Sequence, residues 1–436
     1  MDPAASPDKA AARPSLSFVK WTDSAVLAVA FVAVASGFGQ FGAVAALGSV
    51  ADAFGHVTHG ATIADQAGLS GTELGIGLAV IRLASLGGLP ISGIADRLGR
   101  RGTLLATTAI GLALTVLAAA SPSYWWFVAI FALGRPALSA TNALAQVNVA
   151  EQTASSDRAK AIALVTAGYG VGAGLIAIIH SLGLGSLGFR AIFALSAIPL
   201  VLLLPLKRYV AEPQRFEEAA SGSDHPFPVL GAVGPRFRRR LAVVATITFF
   251  ISVITGPANS FVFLYAQDIV HQAGYLTAAM VVGAGVCGLL GLLLGRLLAD
   301  RVGRRPAAAI GMIGLACFGV LTYSGGHAGL VVGYLLGVLS GSVLAPGLGA
   351  IVNEVFPTSV RASVAGWVLA AGVVGAVVGL VVFGTLADVV GNHFGQSALV
   401  TFLPAALAAG LFLALPESRG REPEELTGSS PSFTLS

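Results

Sequence analysis

Twelve long apolar stretches follow one another along the chain, separated by short polar segments. Each stretch approaches the roughly 20 apolar residues that a helix needs to cross a bilayer. The predicted spans lie near 25–51, 74–95, 103–120, 124–149, 160–183, 189–206, 241–267, 275–299, 307–323, 328–352, 363–387 and 396–415. The pattern therefore predicts an all-α integral membrane protein with twelve transmembrane helices.

The longest polar interruption divides the twelve spans into two sets of six. This interruption, residues 207–240, carries charges, Pro and Ser, which is typical of a linker. The predicted organisation is a cytoplasmic N-terminal tail (1–24), an N-terminal six-helix bundle (25–206), a cytoplasmic linker (207–240), a C-terminal six-helix bundle (241–416) and a cytoplasmic tail (417–436).

The composition agrees with a bilayer-embedded chain. Hydrophobic residues make up 55% of the sequence and charged residues only 11%, against roughly 25% charged in a soluble domain. The 56 glycines recur in small-xxx-small spacings, such as Gly168 with Gly172 and Gly375 with Gly379, which favour close helix packing in lipid. The two cysteines lie inside apolar stretches, so we expect neither a disulfide framework nor a metal site.

The distribution of basic residues predicts the orientation of the chain. With both termini in the cytoplasm, 21 of the 25 Lys and Arg residues fall in inside loops, as the positive-inside rule requires. This placement also accounts for the net charge of +4, so no nucleic-acid partner is expected. The Ala- and Gly-rich composition and the lack of eukaryotic targeting signals favour a bacterial plasma membrane.

Charged motifs are duplicated between the two halves. The segment ADRLGRR, ending at Arg101, recurs as ADRVGRR, ending at Arg305, 204 residues later. A glutamate seven residues before an arginine also recurs, as Glu151 with Arg158 and as Glu354 with Arg361. A third echo follows each sixth helix, AEPQRFEE in the linker and LPESRGREPEE in the tail. Two parallel six-helix repeats with a binding site between them are a known transporter architecture.

At these motifs the sequence resembles the major facilitator superfamily, over residues 20–426. The ADRxGRR loops resemble that superfamily's motif between spans 2 and 3 and its weaker copy between spans 8 and 9. The Glu-x6-Arg pairs and the PESRGR tail resemble its sugar-porter and metabolite–proton symporter branches. Ser92 stands where the motif usually begins with Gly. Span 5 lacks the Gly-Pro of the antiporter signature, and span 1 lacks the membrane Asp of many symporters.

The resemblance implies that the duplicated charges form a cytoplasmic gate, which closes when the binding site faces outward. The predicted gate residues are Asp96, Arg97, Arg100, Arg101, Glu151, Arg158, Asp300, Arg301, Arg304, Arg305, Glu354 and Arg361. For the two pairs of loop arginines, 100–101 and 304–305, a role in setting topology is at least as good an explanation. Acidic residues contribute little to topology, so the carboxylates favour the gate.

Polar residues inside the spans predict a substrate pathway. Arg82 and Arg135 lie within spans, where an arginine costs about 3 kcal/mol on insertion scales, so each should face a cavity or a partner. Steps of four and three residues place polar side chains on one face of span 4 and one face of span 7. The predicted pathway residues are Gln40, Arg82, Arg135, Asn142, Asn259 and Tyr265.

These features predict a secondary transporter for a small sugar-like or organic-acid solute. Two membrane arginines without an acidic residue near the middle of any predicted span favour an anionic solute. We expect proton-coupled symport. The candidate groups for binding the coupled proton are Asp52, Glu73, His56 and His180. The alternatives are efflux by proton antiport and a non-transporting membrane sensor. The chain has no HExxH, GxSxG or Walker-type motif, so neither enzymatic activity nor a cofactor is expected.

Overall fold

The computed structural model describes residues 19–58, 62–183, 187–212, 233–389 and 394–417. Within these ranges twelve helical spans are long and apolar enough to cross a membrane. Spans 1 to 12 are Ser24–Ala45, Gly71–Ala95, Arg100–Ala118, Tyr124–Gln152, Ser156–Ser181, Gly188–Leu206, Pro235–Ile269, Gly274–Arg301, Arg304–Ser324, Gly326–Glu354, Ser363–Val389 and Phe394–Ala414. The predicted all-α architecture with twelve transmembrane helices is confirmed.

Several spans differ from the predicted boundaries. The helix of span 1 ends at Ala45, and the chain continues as a separate helix, Leu47–Phe54. Span 7 begins at Pro235, inside the stretch assigned to the linker. Proline is favoured at the first helical position, because the N–H that it lacks would have no partner within the helix. Span 12 ends as a 3-10 helix, Leu407–Ala414. A further short helix, Ile63–Ala67, precedes span 2.

The twelve spans form two bundles with the duplicated loops at one end. We call the end that carries residues 96–101 and 300–305 the motif end, and the opposite end the far end. At the far end the halves meet where spans 2 and 11 cross, and a Cβ added at Gly71 or Gly75 would overlap a carbonyl oxygen of span 11. Gly274 at the start of span 8 packs equally closely on the Ser181 carbonyl of span 5. The far end is therefore closed.

Glycines also set the packing inside each half. In the N-terminal bundle, Gly172 of span 5 lies so close to span 1 that a Cβ would overlap the Val34 carbonyl oxygen. In the C-terminal bundle, Gly375 of span 11 lies equally close to the Phe249 carbonyl of span 7. The small-xxx-small spacing thus joins the equivalent pair of helices in both halves, spans 1 and 5 and spans 7 and 11.

We expect Gly172→Ala to destabilise the protein by about 1–3 kcal/mol, since the added methyl group forces two backbones apart. Gly170→Ala is the matched control, because nothing lies within 4 Å of a Cβ at that position of the same helix. Thermal unfolding of both purified variants in one detergent, followed by tryptophan fluorescence, measures the difference. Equal midpoints for the two variants would contradict the close packing of spans 1 and 5.

Candidate functional site

A cavity of about 200 Å³ lies between the two halves. Its N-terminal wall combines two arginines with an amide and a phenol, and its C-terminal wall carries neutral polar groups. The principal lining residues are Gln40, Phe41, Arg82, Phe131, Arg135, Tyr169, Thr255, Asn259 and Ser260. Among the described residues that line the cavity, none is acidic.

Arg135 is placed by the middle of span 4, directly before Pro136. One terminal nitrogen of its guanidinium donates to the Gln40 carbonyl at 3.4 Å. Its Nε is buried and has no hydrogen-bond partner among the described residues. Arg135 lines the cavity and makes one hydrogen bond among the described residues, so its remaining terminal N–H groups can bind a solute.

Gln40 is held rigidly by its own half. Its amide nitrogen donates to Ser36 Oγ at 2.8 Å and to the Leu138 carbonyl at 3.0 Å. An amide nitrogen has two N–H donors, and these two contacts use both. Toward a solute, the Gln40 amide therefore presents an acceptor oxygen.

The facing wall belongs to span 7. Asn259 is exposed, and its Nδ2 donates to the Thr255 carbonyl at 2.9 Å, one turn earlier in the helix. Ser260 follows directly and also lines the cavity. The positive charge thus comes from the N-terminal half, whereas the C-terminal half adds uncharged donors and acceptors.

Four of the six predicted pathway residues line this cavity: Gln40, Arg82, Arg135 and Asn259. Asn142 lies two turns nearer the motif end of span 4, half-buried, with its Oδ1 buried and without a partner among the described residues.

Tyr265 lies outside the cavity. A π-helical turn at Tyr265–Ile269 directs its side chain into the C-terminal bundle. There its hydroxyl donates to the Tyr323 carbonyl at 3.1 Å. Its ring lies 5.2 Å from that of Phe394, centre to centre.

The aromatic lining escaped the sequence-based prediction. Phe41, Phe131 and Tyr169 line the cavity, yet in an apolar span such residues look like ordinary packing. The one available signal was the position of Tyr169 in the glycine-rich segment AGYGVGAGL of span 5, where small neighbours leave space around a single large polar ring.

Ion pairs at the motif end join the duplicated motifs. Arg100 lies 3.0 Å from the Glu151 carboxylate, and Arg304 lies 2.7 Å from the Glu354 carboxylate. Each pair links the start of an odd-numbered span, 3 or 9, to the end of the next span within the same half. These two contacts therefore stabilise the halves individually and do not themselves bridge them.

The third sequence echo completes this arrangement. The backbone N–H of Arg100 donates to Glu212 at 2.6 Å, and that of Arg304 donates to Glu417 at 3.1 Å. Gly99 and Gly303 precede these arginines with φ of 99° and 123°, a backbone conformation that glycine adopts without strain. Each turn leaves the first N–H groups of span 3 or 9 free to bind a carboxylate.

The other predicted gate residues are less tightly placed. Asp300 is 65% exposed and lies 4.0 Å from Arg296 on its own helix, and Arg301 is exposed. Such a solvated pair contributes little. The side chains of Asp96 and Arg97 lie outside the described residues.

Four further predicted gate arginines lie at this end. Arg305 donates to the Leu415 carbonyl at 2.5 Å and lies 3.7 Å from the Glu417 carboxylate. Arg101 donates to the Lys207 carbonyl at 2.7 Å. Arg361 is half-buried and donates to the Phe356 carbonyl at 3.4 Å. Arg158 is also half-buried, and its Nε has no hydrogen-bond partner among the described residues.

A polar contact at the far end bridges the halves directly. The Asp388 carboxylate of span 11 accepts the backbone N–H groups of Gly71 and Thr72, each at 2.7 Å, and also the Thr72 hydroxyl. The carboxylate thus lies at the N-terminus of span 2, where the helix dipole favours a negative charge. We call these three residues the far-end latch. In the sequence, Asp388 directly follows the predicted span 363–387, and nothing there indicates its partner.

A second far-end junction involves His180 of span 5. Its Nε2 lies 2.9 Å from Ser49 Oγ of the same half. Its Nδ1 lies 3.4 Å from Gln267 of the other half. A buried ionisable ring thus touches both bundles.

A polar cavity between two six-helix bundles is the architecture of a secondary transporter. The chain belongs to the Major Facilitator Superfamily, whose family model matches residues 29–341 and 270–434. The resemblance seen in the motifs is thereby confirmed, and the protein is a multi-pass membrane transporter rather than an enzyme.

Relatives with named substrates cover most of the chain. One, described as a "probable 4-methylmuconolactone transporter" from Cupriavidus pinatubonensis, is 26% identical over 373 residues, or 81% of this chain and 84% of the relative. A gentisate transporter from Corynebacterium glutamicum is 27% identical over 371 residues, or 81% of each chain. The crystal structure of a D-xylose-proton symporter shares the fold at a TM-score of 0.70, with 17% identity, covering 92% of this chain and 99% of that one.

Proposed function

We propose that this protein imports a small organic anion, with an aromatic carboxylate as the best-fitting class, by alternating access coupled to protons. The observation that carries the proposal is the pair Arg82 and Arg135 in a cavity whose described lining includes no acidic residue. Because an unpaired guanidinium in low dielectric is costly, a carboxylate from the solute is the natural partner.

The rest of the lining narrows the class of solute. Three aromatic side chains, Phe41, Phe131 and Tyr169, supply ring surfaces against which an aromatic or unsaturated solute can stack. The Gln40 amide leaves an acceptor that suits a solute hydroxyl. The cavity of about 200 Å³ is smaller than the roughly 300–1,000 Å³ of drug-sized pockets. These features favour a hydroxylated ring acid, and gentisate, the named substrate of one relative, has this chemistry.

The same features weigh against a sugar as substrate. A neutral sugar offers no counter-charge to the two guanidinium groups, and it would leave their desolvation uncompensated. The fold shared with the xylose symporter reflects common architecture at 17% identity, and a common fold does not imply a common substrate.

For the gates, we propose that the motif end is cytoplasmic, in a bacterial plasma membrane, with both termini inside. The distribution of Lys and Arg supports this orientation. The predicted gate residues at the motif end would then close the cytoplasmic side when the far end opens. For the proton we favour His180, since a change in its charge acts on Ser49 and Gln267, contacts in both halves.

Uptake into proteoliposomes tests the proposal. We expect radiolabelled gentisate to accumulate when the interior is more alkaline, and a protonophore to abolish the accumulation. The methyl ester of gentisate lacks the carboxylate. It should not compete with gentisate for uptake, and its own entry into the liposomes should not depend on the protein. Protein-free liposomes control for passive entry of the weak acid.

Three outcomes would point elsewhere. Accumulation of xylose but not of gentisate would make the protein a sugar porter. Accumulation driven only by an acidic interior would favour efflux by antiport. Binding of gentisate without any flux would favour the sensor.

A further inference from the structure

An arginine-lined depression lies at the motif end, on the outside of the C-terminal bundle. It has a volume of about 250 Å³ and lies between the start of span 7 and the end of span 12. The lining residues are Arg236, Arg239, Arg240, Val243, Ala414 and Pro416. The four residues from span 7 follow helical spacing and share one face of the helix.

The depression is strongly positive. The Cζ atoms of Arg236 and Arg240 lie 5.9 and 5.8 Å from the centre of the Phe237 ring, which positions both groups. Arg239 is exposed and makes no hydrogen bond or ion pair with the described residues. Three like charges within about one turn repel one another. The N-terminus of span 7, which begins at Pro235, adds the positive end of a helix dipole.

An apolar column lies on the last turns of span 12, the helix whose end, Ala414, lines the depression. Because span 12 ends as a 3-10 helix, Leu407–Ala414, side chains three residues apart lie above one another. Leu407 and Leu413 are 81% and 75% exposed. Between them, Gly410 has nothing within 4 Å of a Cβ position, so the column contains an open groove.

We propose that this depression binds the headgroup of an anionic phospholipid. Arg236 and Arg239 hold the phosphate, which guanidinium groups bind in bidentate geometry. One acyl chain lies along the column of Leu407, Gly410 and Leu413. Basic pockets between helices at a membrane surface are a recognised mode of anionic lipid binding. The proposal does not depend on which solute the protein transports.

The positive-inside rule offers another explanation for arginines in this segment. It does not explain why three of them line the depression. Arg238 contributes equally to topology, yet it does not line the depression, and its Nε donates to the Val233 carbonyl at 3.3 Å. This neighbour supplies the matched control. Arg238→Gln removes one positive charge from the same helical turn without touching the proposed site, and the double variant removes two.

Native mass spectrometry of the full-length protein released from nanodiscs tests the proposal. In nanodiscs of equal phosphatidylglycerol and phosphatidylcholine, we expect wild type and Arg238→Gln to retain phosphatidylglycerol preferentially. The double variant Arg236→Gln/Arg239→Gln should bind it roughly 30-fold more weakly, at about fivefold per arginine. The charge-preserving Arg236→Lys/Arg239→Lys should fall between the two.

Several results would overturn the proposal. Equal retention of both lipids by wild type would show that charge is not recognised. A loss of about fivefold in Arg238→Gln, the same per charge as in the double variant, would reduce the effect to general surface charge. Inorganic phosphate at millimolar concentration tests a free ion as the ligand, and full displacement of the lipid by it would assign the site to a soluble anion. Size-exclusion profiles identical to that of wild type establish that each variant is folded.

Discussion

Replacement of Arg135 by Gln should weaken the apparent affinity for a carboxylate substrate by about 10- to 100-fold. A hydrogen bond to a charged group contributes about 1.5–3 kcal/mol, and each 1.4 kcal/mol is roughly tenfold in affinity. Arg135 makes one hydrogen bond among the described residues, to the Gln40 backbone carbonyl, so a substrate carboxylate can bind its remaining terminal N–H groups without displacing that contact. Uptake of gentisate at a series of concentrations measures the change as an increase in KM.

A matched arginine outside the cavity controls for loss of charge. Arg190 donates to the Ala119 and Ser121 carbonyls, each at 3.2 Å, and Arg190→Gln should leave KM unchanged. Arg135→Lys keeps the charge and loses the planar fork, so it should retain part of the affinity. An unchanged KM in Arg135→Gln would remove this residue from the substrate site.

Replacement of Asp388 by Asn should shift the protein toward the state that is open at the far end. The substitution removes the charge that lies on the N-terminus of span 2, and an Asn amide presents a donor where two N–H groups already point. Loss of about 1.5–3 kcal/mol from the closed state changes the ratio of the two states by about 10- to 100-fold.

Labelling from the far end measures this shift. Thr255 lines the cavity, so a cysteine there reacts with an impermeant maleimide only when the far end is open. The experiment uses a background in which Cys287 and Cys317 are replaced by Ser. We expect Asp388→Asn to accelerate labelling of Thr255→Cys severalfold or more.

Two variants sharpen the interpretation of the labelling rates. Thr72→Val removes only the hydroxyl from the far-end latch and should give a smaller acceleration, since one hydrogen bond is worth about 1 kcal/mol. Asp65→Asn removes an acidic residue whose contacts, with Thr58 and Thr62, stay within the N-terminal half. An acceleration as large in Asp65→Asn as in Asp388→Asn would argue that far-end charge, and not the latch, holds the halves together.

The architecture was readable from the sequence because a bilayer imposes a simple rule. Each span must satisfy its own backbone hydrogen bonds, so a run of about 20 apolar residues becomes a helix whatever its neighbours are. Deviations arose where polar and apolar signals disagree. Pro235 begins span 7 among four arginines, which as a run of charges looked like linker.

The cavity could be predicted only in part, because some of its lining residues are recognisable from the sequence and others are not. Arg82 and Arg135 stand out in apolar spans since a charge there is costly, and both line the cavity. Tyr169 is indistinguishable by composition from a packing residue. The polar hydroxyl of Tyr265, near the end of span 7, favours a place in the pathway. A π-helical turn directs its side chain into the C-terminal bundle instead. Such a turn cannot be recognised in a single sequence.

Interactions between distant segments were the least accessible. The latch joins residues 71–72 to Asp388, more than three hundred positions apart in the chain. A lone Asp at a helix end gives no indication of its partner. The duplicated Glu-x6-Arg pattern was more informative about position than about partners. Glu151 and Glu354 make equivalent ion pairs in the two halves, but their partners, Arg100 and Arg304, belong to the other duplicated motif.

The positions of Glu212 and Glu417 in the chain affect the order in which the two halves can fold during synthesis. Each caps the third helix of its own half, from a position just beyond the sixth. Synthesis proceeds from the N-terminus, and domains generally fold as units in that order. The first bundle therefore has every residue of its motif-end network once Glu212 has been synthesised, before any of span 7 exists. The first half can thus pack before the second is synthesised, and docking of the two halves follows as a later step of biogenesis.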